Sequence, residues 1–438
     1  MPNTFRGGIH PEDKKKYTEK KRIEVLAVEP EELIFPLLQH TGAPAKPIVA
    51  VGDYVQAGQK IAEAAGPLSA NIHTGVSGTV KEIVLMETAG GPADPCIIIE
   101  NDRQHTLREG VCKKAKLELV TNQQIIEKIR ESGVIGLGGG GTPTDTKILA
   151  GIGTVDTVIV NGAECEPYST SDHALILAES DKILAGLLLL IRLYEVKSGI
   201  IAIEANKPDA IKRISHKIAK FPQIKLHVLR TKYPQGSEKQ LIKAVVNREV
   251  PPGGLPADIG CAVFNVATSL AIYEAIVENK PLYERVVTVS GKTVANQKNL
   301  KVPFGTPVHT LLEACGGLKE DPYKIILGGP MMGITVPSTN VPVTKGTSTV
   351  LVYSRPEETF EENPICIRCA HCVDVCPMRL MPLYLNQAAE KNQKDRLTKL
   401  HLHDCIECGS CSYICPAKIP LVQTFRAAKA KSGTKGGL

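Results

Sequence analysis

The last 73 residues carry eight of the chain's 13 cysteines, in two copies of one pattern. "CIRCAHCVDVCP" places Cys366, Cys369, Cys372 and Cys376 ahead of Pro377, and "CIECGSCSYICP" places Cys405, Cys408, Cys411 and Cys415 ahead of Pro416. Both read C-x2-C-x2-C-x3-C-P. At this spacing a tight turn sets three thiolates around three corners of one [4Fe-4S] cubane, and the fourth, carried off by a short helix, ligates the other cluster. The expected sets are Cys366, Cys369 and Cys372 with Cys415, and Cys405, Cys408 and Cys411 with Cys376. Structural zinc also uses C-x2-C pairs, but it explains neither the third cysteine of each turn nor the repeated Cys-Pro. Crossed ligation ties both clusters to one rigid unit suited to passing single electrons in series.

The other five cysteines, Cys96, Cys112, Cys165, Cys261 and Cys315, are scattered singly and read as core thiols. A disulfide scaffold would be short and evenly laced, so a reducing compartment is expected. Nucleic-acid binding is a poor fit: the net charge is only +6, aromatics are 4% and Trp is absent, which leaves few base-stacking platforms. The longest apolar run, "ILAGLLLLI", is too short to cross a bilayer. The lysine-rich start, "MPNTFRGGIHPEDKKKYTEKKR", has no apolar core of a secretory signal and reads as a solvated arm.

At 438 residues the chain should divide into several domains. Residues 1–112 alternate in short segments broken by Gly-Asp, Ala-Gly and Ser-Gly turns, as strands do. "KPIVAVGDYVQAGQKIAEAAG" resembles half of a biotinyl/lipoyl-type barrel-sandwich domain. "EAAGPLSANIH" stands where the carrier lysine would be, so a docking module without a swinging arm is expected. In 113–282 helical segments ("NQQIIEKIRESG", "SDKILAGLLLLIRLYEV", "KPDAIKRISHKIAKF") alternate with strand-like ones ("VDTVIVNGAE", "SGIIAIEA", "IKLHVLRT"), which implies a mainly parallel two-sided sheet. Residues 283–352 read as a small β-grasp module around the helix "TPVHTLLEACGG", and 353–438 hold the cysteine module and a frayed tail. The fold class is thus multidomain α/β.

"GVIGLGGGGTPTDTKI" contains G-x-G-x-x-G at Gly136, Gly138 and Gly141. A dinucleotide fingerprint needs a strand before the glycines, and the preceding "IIEKIRES" is helical; no Gly-Lys-Ser/Thr closes a phosphate loop either. Successive glycine N–H groups can still form an anion-binding concavity, with Pro143 opening a helix. A tight turn against a packed neighbour is the plainer alternative. "VIVNGAECEPY" then sets Asn161, Glu164 and Glu166 at the carboxyl end of a parallel strand, where open α/β sheets bind ligands.

"GLGGGGTPTDTK" followed by "NGAECEP" resembles the flavin-loop pair of the NADH-binding flavoprotein subunit of respiratory complex I; "YPQGSEKQLI" and "FNVATSL" resemble two further segments of that family. With "TFRGGIHP", "QHTGAPAKP", "GGLPADIG", "ILGGPMMG" and both cysteine motifs in order, nearly the whole chain resembles the C subunits of Rnf ion-translocating electron-transport complexes. The resemblance implies a barrel-sandwich domain, a complex I flavoprotein-like FMN/NAD domain, an SLBB-like β-grasp module and a two-cluster ferredoxin domain. By the same resemblance, FMN lies against Gly136, Gly138, Gly139, Gly140 and Gly141, with Lys147, Asn161, Glu164, Gly236, Asn265 and Thr268 completing its pocket. Glu166, Tyr233 and Glu238 fall where nicotinamide stacks on the flavin.

Three positions depart from the complex I pattern: Thr142 replaces an adenine-stacking Phe, Ala163 an Asp, and Ser237 a Glu. Nicotinamide moves electrons in pairs and each cluster singly; FMN does both and belongs between them. The resemblance implies a peripheral subunit on the cytoplasmic face of the membrane, without nucleic acid, working with integral-membrane and iron–sulfur partners. It would pass electrons from ferredoxin, indirectly, through two [4Fe-4S] clusters and FMN to NAD+, or back, in a complex that pumps ions. A soluble flavin/iron–sulfur reductase for another acceptor such as a corrinoid, and a relay that has lost NAD binding, are the alternatives.

Overall fold

The computed structural model describes residues 4–89, 91–113, 120–354 and 364–431. The tail 432–438 lies outside them.

The first unit is all β. Glu32–Pro36, Gly91–Asn101, Gly78–Thr88 and Tyr54–Val55 form one antiparallel sheet, and Lys46–Pro47, Lys60–Glu63 and Ile72–His73 a second. Period-2 alternation sends Leu33, Phe35, Ile97, Ile99, Ile61 and Ile72 inward, all fully buried. The hairpin between Glu63 and Ile72 docks on the next unit. Pro67 O accepts from Thr146 Oγ1 at 2.6 Å, and Asn71 Nδ2 donates to Arg130 O and Glu131 O at 3.3 and 3.2 Å.

The second unit is a four-stranded parallel sheet ordered Ile224–Leu229, Gly199–Glu204, Thr157–Gly162, Cys261–Asn265. Helix Asn122–Glu131 starts on a reciprocal cap. Gln124 N donates to Thr121 Oγ1 and Thr121 N to Gln124 Oε1, which satisfies two amides a helix end otherwise leaves open. The run "ILAGLLLLI" falls in the 23-residue helix Ser171–Leu193. Ile183, Leu184, Leu187 and Leu190 are fully buried there, each contributing about 1.5–3 kcal/mol. The run is core; among the described residues no helix is long and apolar enough to cross a membrane.

The third unit is a six-stranded sheet ordered Ile23–Val25, Lys298–Pro303, Glu284–Ser290, Thr349–Tyr353, Lys324–Leu327, Ile334–Val336, with helix Val308–Ala314. Its edge strand comes from the chain's start. The lysine-rich segment is therefore not a solvated arm. Phe5, Ile9, Lys15 and Thr18 are buried, Gly8 N donates to Val375 O, and Lys15 Nζ donates to Glu166 O at 3.0 Å and also to Ser169 O. Lysine frequency misled because one buried ammonium with two carbonyl partners is indistinguishable, by composition, from its exposed neighbours.

The last unit is helical. Pro382–Glu390, Lys394–Lys399 and Leu421–Lys431 enclose Leu385, Leu402 and Phe425, and the cysteine turns run into the short helices His371–Asp374 and Ser410–Ile414.

Candidate functional site

Strand Thr157–Gly162 is flanked by Gly199–Glu204, the next strand in sequence, on one side and by Cys261–Asn265, the last strand of this sheet, on the other, so the strand order reverses here. That switch point is where open α/β sheets bind ligands. Asn161 and Asn265 are register partners across it. Asn265 Oδ1 accepts from Ala267 N at 2.8 Å and caps helix Val266–Val277, while its Nδ2 donates to Asp172 Oδ2 at 2.6 Å. Asn161 Nδ2 donates to Gly236 O at 2.8 Å.

The glycine run joins helix Asn122–Glu131 to helix Thr144–Gly151, so no strand precedes it. It is closed from behind: Gly136 N donates to Thr142 O at 2.8 Å, Gly141 N to Gly136 O at 3.1 Å and Leu137 N to Thr268 Oγ1 at 2.9 Å. In front, the amides of Gly138, Gly139 and Gly140 have no protein partner among the described residues. Gly139, at φ +107°, has nothing within 4 Å of where a Cβ would stand, whereas a Cβ on Gly138 would press the Asn265 side chain at 3.1 Å. Consecutive open N–H groups on bare backbone are what a phosphate needs. Lys147 Nζ pairs with Glu238 Oε1 at 2.5 Å, 5.5 Å from the Phe264 ring centroid.

Glu164, Glu166 and Tyr233 are engaged elsewhere. Glu164 (φ +47°) caps helix Ser171–Leu193, accepting from Asp172 N at 2.7 Å and His173 N at 3.2 Å. Glu166 accepts from Met332 N at 2.9 Å and Met331 N at 3.1 Å. A Cβ at Gly329 would lie 2.1 Å from its Oε2, so only glycine fits there. Burial pushes the Glu166 pKa up to about 7 against the pull of those two amides. Tyr233 is 1% exposed and donates through its hydroxyl to Cys408 O at 2.7 Å. Both side chains thus face the third and fourth units.

Several participants were missed in the sequence. Asp172, whose pKa burial and the neighbouring Glu164 charge raise to about 7, accepts from Asn265 Nδ2. Buried Lys207 donates to Ala163 O at 2.5 Å, bracing the strand end. Gln235, beside Gly236, is fully buried, and neither carboxamide atom has a partner among the described residues. Such an orphan fits a site awaiting a polar ligand. No pattern in the sequence marks these three. Of the scattered cysteines, Cys96, Cys261 and Cys315 are buried; Cys112 is exposed, and Cys165 is half-buried, its Sγ accepting from Gly236 N at 3.3 Å.

Cys376, Cys405, Cys408 and Cys411 line one chamber whose other walls are largely apolar, among them Leu380, Leu385, Val422 and Phe425. Cys415 is not part of that wall; it lies with Cys366 and Cys369 in the electrostatic surroundings of Cys372. Among the described residues no three His, Cys, Asp or Glu side chains converge as ligands of a single ion would. The thiols ring a volume instead, and that bowl fits a cubane. Cys408 is buried against Ile9 and Tyr233 of other units and Cys411 in its own module's core; Cys366 and Cys369 are exposed.

Comparison with family models matches residues 3–104 to the RnfC barrel sandwich hybrid domain, 129–274 to the Nuo51 FMN-binding domain, 286–335 to the SLBB domain and 365–419 to a 4Fe-4S dicluster domain. The C subunit of the proton-translocating ferredoxin:NAD+ oxidoreductase complex of Clostridium ljungdahlii is 40% identical over 100% of this chain and 95% of its own length. The Na+-translocating counterpart of Acetobacterium woodii is 40% identical over 97% and 96%. The C subunit of the ion-translocating oxidoreductase complex of Rhodobacter capsulatus is 40% identical over 98% and 83%. Among solved structures, an air-oxidized NAD+-reducing [NiFe]-hydrogenase superposes with TM-score 0.51 at 18% identity, over 71% of this chain and 61% of that one, a likeness of fold alone.

Proposed function

Since the chain belongs to the family of C subunits of ion-translocating ferredoxin:NAD+ oxidoreductase complexes, we propose that it is their NAD(H)-reacting member, passing electrons between two [4Fe-4S] clusters, FMN and NAD+/NADH. It sits as a peripheral subunit on the cytoplasmic face of the membrane, beside integral-membrane and iron–sulfur subunits, and reaches ferredoxin through them. Bound FMN supplies the conversion between hydride transfer and single-electron transfer.

The chain's own residues divide the work. The open amides of Gly138, Gly139 and Gly140 hold phosphate, and Lys147, released from Glu238, adds charge to that contact. Asn161 and Asn265, at the strand ends, would line the flavin pocket, and buried Thr268 would brace the loop behind it through Leu137 N. Cys405, Cys408, Cys411 and Cys376 would hold the inner cluster, and Cys366, Cys369, Cys372 and Cys415 the outer one, whose ligands Cys366 and Cys369 lie exposed on the side where a partner can approach. Glu166 and Tyr233 act at the junction between these sites.

One observation carries this reading. The short segment from Tyr233 to Gln240 walls both sites: Gly236 O is held by Asn161, while Tyr233 reaches Cys408 O and Gln240 Nε2 lies 3.5 Å from Pro377 O. Protein purified without oxygen should contain iron, sulfide and FMN, and NADH should bleach the flavin band. Cluster-loaded protein that neither retains nor accepts FMN would sink the proposal.

A further inference from the structure

The N-terminal unit reaches into the glycine loop. Thr41 N donates to Gly141 O at 3.0 Å, and Thr41 Oγ1 donates to Gly140 O at 2.8 Å. Those two carbonyls belong to the peptides that close the loop, so Thr41 pins the chain directly after the amides of Gly138, Gly139 and Gly140, which have no protein partner among the described residues.

Thr41 is itself braced. His40 is buried, its Nε2 accepts from Ala70 N at 3.1 Å, and the remaining ring nitrogen therefore carries the hydrogen and donates to Thr41 O at 3.3 Å. Ala43 N donates to Leu68 O at 2.9 Å. Gly42, at φ +107°, passes so close that a Cβ would lie 2.0 Å from that same carbonyl. The hairpin that in a carrier domain would present a modified lysine serves here as the backstop of a turn gripping the neighbouring domain's loop.

We propose that the barrel-sandwich domain is a structural wall of the nucleotide site and that Thr41 is the positioning residue that anchors the glycine loop beside its open amides. The inference rests on the flavin and nicotinamide reading given above. The group received is a phosphate ester, which the FMN monophosphate and the NADH pyrophosphate both carry.

Full-length, cluster-loaded protein is titrated with FMN, riboflavin and NADH, following fluorescence. Thr41→Val keeps the side chain's shape and removes one hydrogen bond, so it weakens FMN or NADH binding roughly fivefold; Thr41→Ser stays close to wild type, and riboflavin, lacking phosphate, is unaffected. A loss confined to FMN assigns the loop to the monophosphate, and one confined to NADH to the pyrophosphate. A lowered melting temperature with both affinities intact overturns the proposal. A second measurement needs no variant: in wild-type protein, ligand should slow amide exchange at residues 138–141 and 40–43 together. Protection of the loop alone overturns the proposal, whereas wild-type protein that binds neither FMN nor NADH overturns the underlying reading as well.

Discussion

The hydroxyl of Tyr233 donates to the main-chain carbonyl of Cys408 at 2.7 Å, from the sheet domain into the turn that lines the inner cysteine chamber. The ring is 1% exposed, so water cannot substitute for the lost donor. Tyr233→Phe should cost on the order of 1 kcal/mol of stability. It should alter the inner cluster's midpoint potential and EPR line shape, leaving the outer cluster's signal and FMN content unchanged. Potentiometric EPR of the two forms checks this; an unchanged inner signal would show the bond to be packing alone.

The proposed crossed ligation would make the two distant cysteines reciprocal. Cys376→Ser should abolish the inner cluster and spare the outer, and Cys415→Ser the reverse, although Cys376 follows the outer motif in sequence. Each variant should keep about half the iron, with complementary EPR spectra.

Lys345 is fully buried, donating to Asn71 O at 2.6 Å and Gly133 O at 2.7 Å, and burial lowers its pKa from 10.5 to about 7. Between those values the unfolded chain holds a proton that the native state rejects. This side chain's contribution to stability therefore rises with pH from about 7 toward about 10. Lys345→Met removes the proton site, so the difference in denaturant midpoint between wild type and variant should change over that window and level off above it. A difference that is flat across the window would contradict the assignment.

Gly139→Ala tests the open loop. The added methyl meets no neighbour, but φ +107° disfavours any L side chain, at a cost of about 1–3 kcal/mol. If the loop relaxes to a more negative φ, its amides turn, and FMN retention on gel filtration should fall while both clusters stay. Full FMN retention would mean that those amides do not hold the cofactor.

The chemistry-bearing segments were legible because each is local. Four thiols at fixed spacing, a glycine run and an Asn at a strand end state their requirements within a dozen residues. Contacts between distant segments were not. Glu166 and Tyr233 look identical in sequence whether they face a nucleotide or a neighbouring domain; Gly329, whose missing side chain admits Glu166, lies 163 positions later. The strand Cys261–Asn265 was hidden because it runs straight into helix Val266–Val277 without a turn residue between them. Lys15 and Lys207 shared a code with exposed lysines, and only burial against carbonyls tells them apart.

The chain's first segment pairs at Ile9 with Tyr233, at Gly8 with Val375 and at Ile23–Val25 with Lys298–Pro303. One ribbon of backbone is thereby a rivet through three units, the parallel-sheet domain, the cysteine module and the six-stranded sheet. A substitution that loosens it, such as Ile9→Asp at a buried position, should lower the melting temperature of the whole protein rather than of one unit.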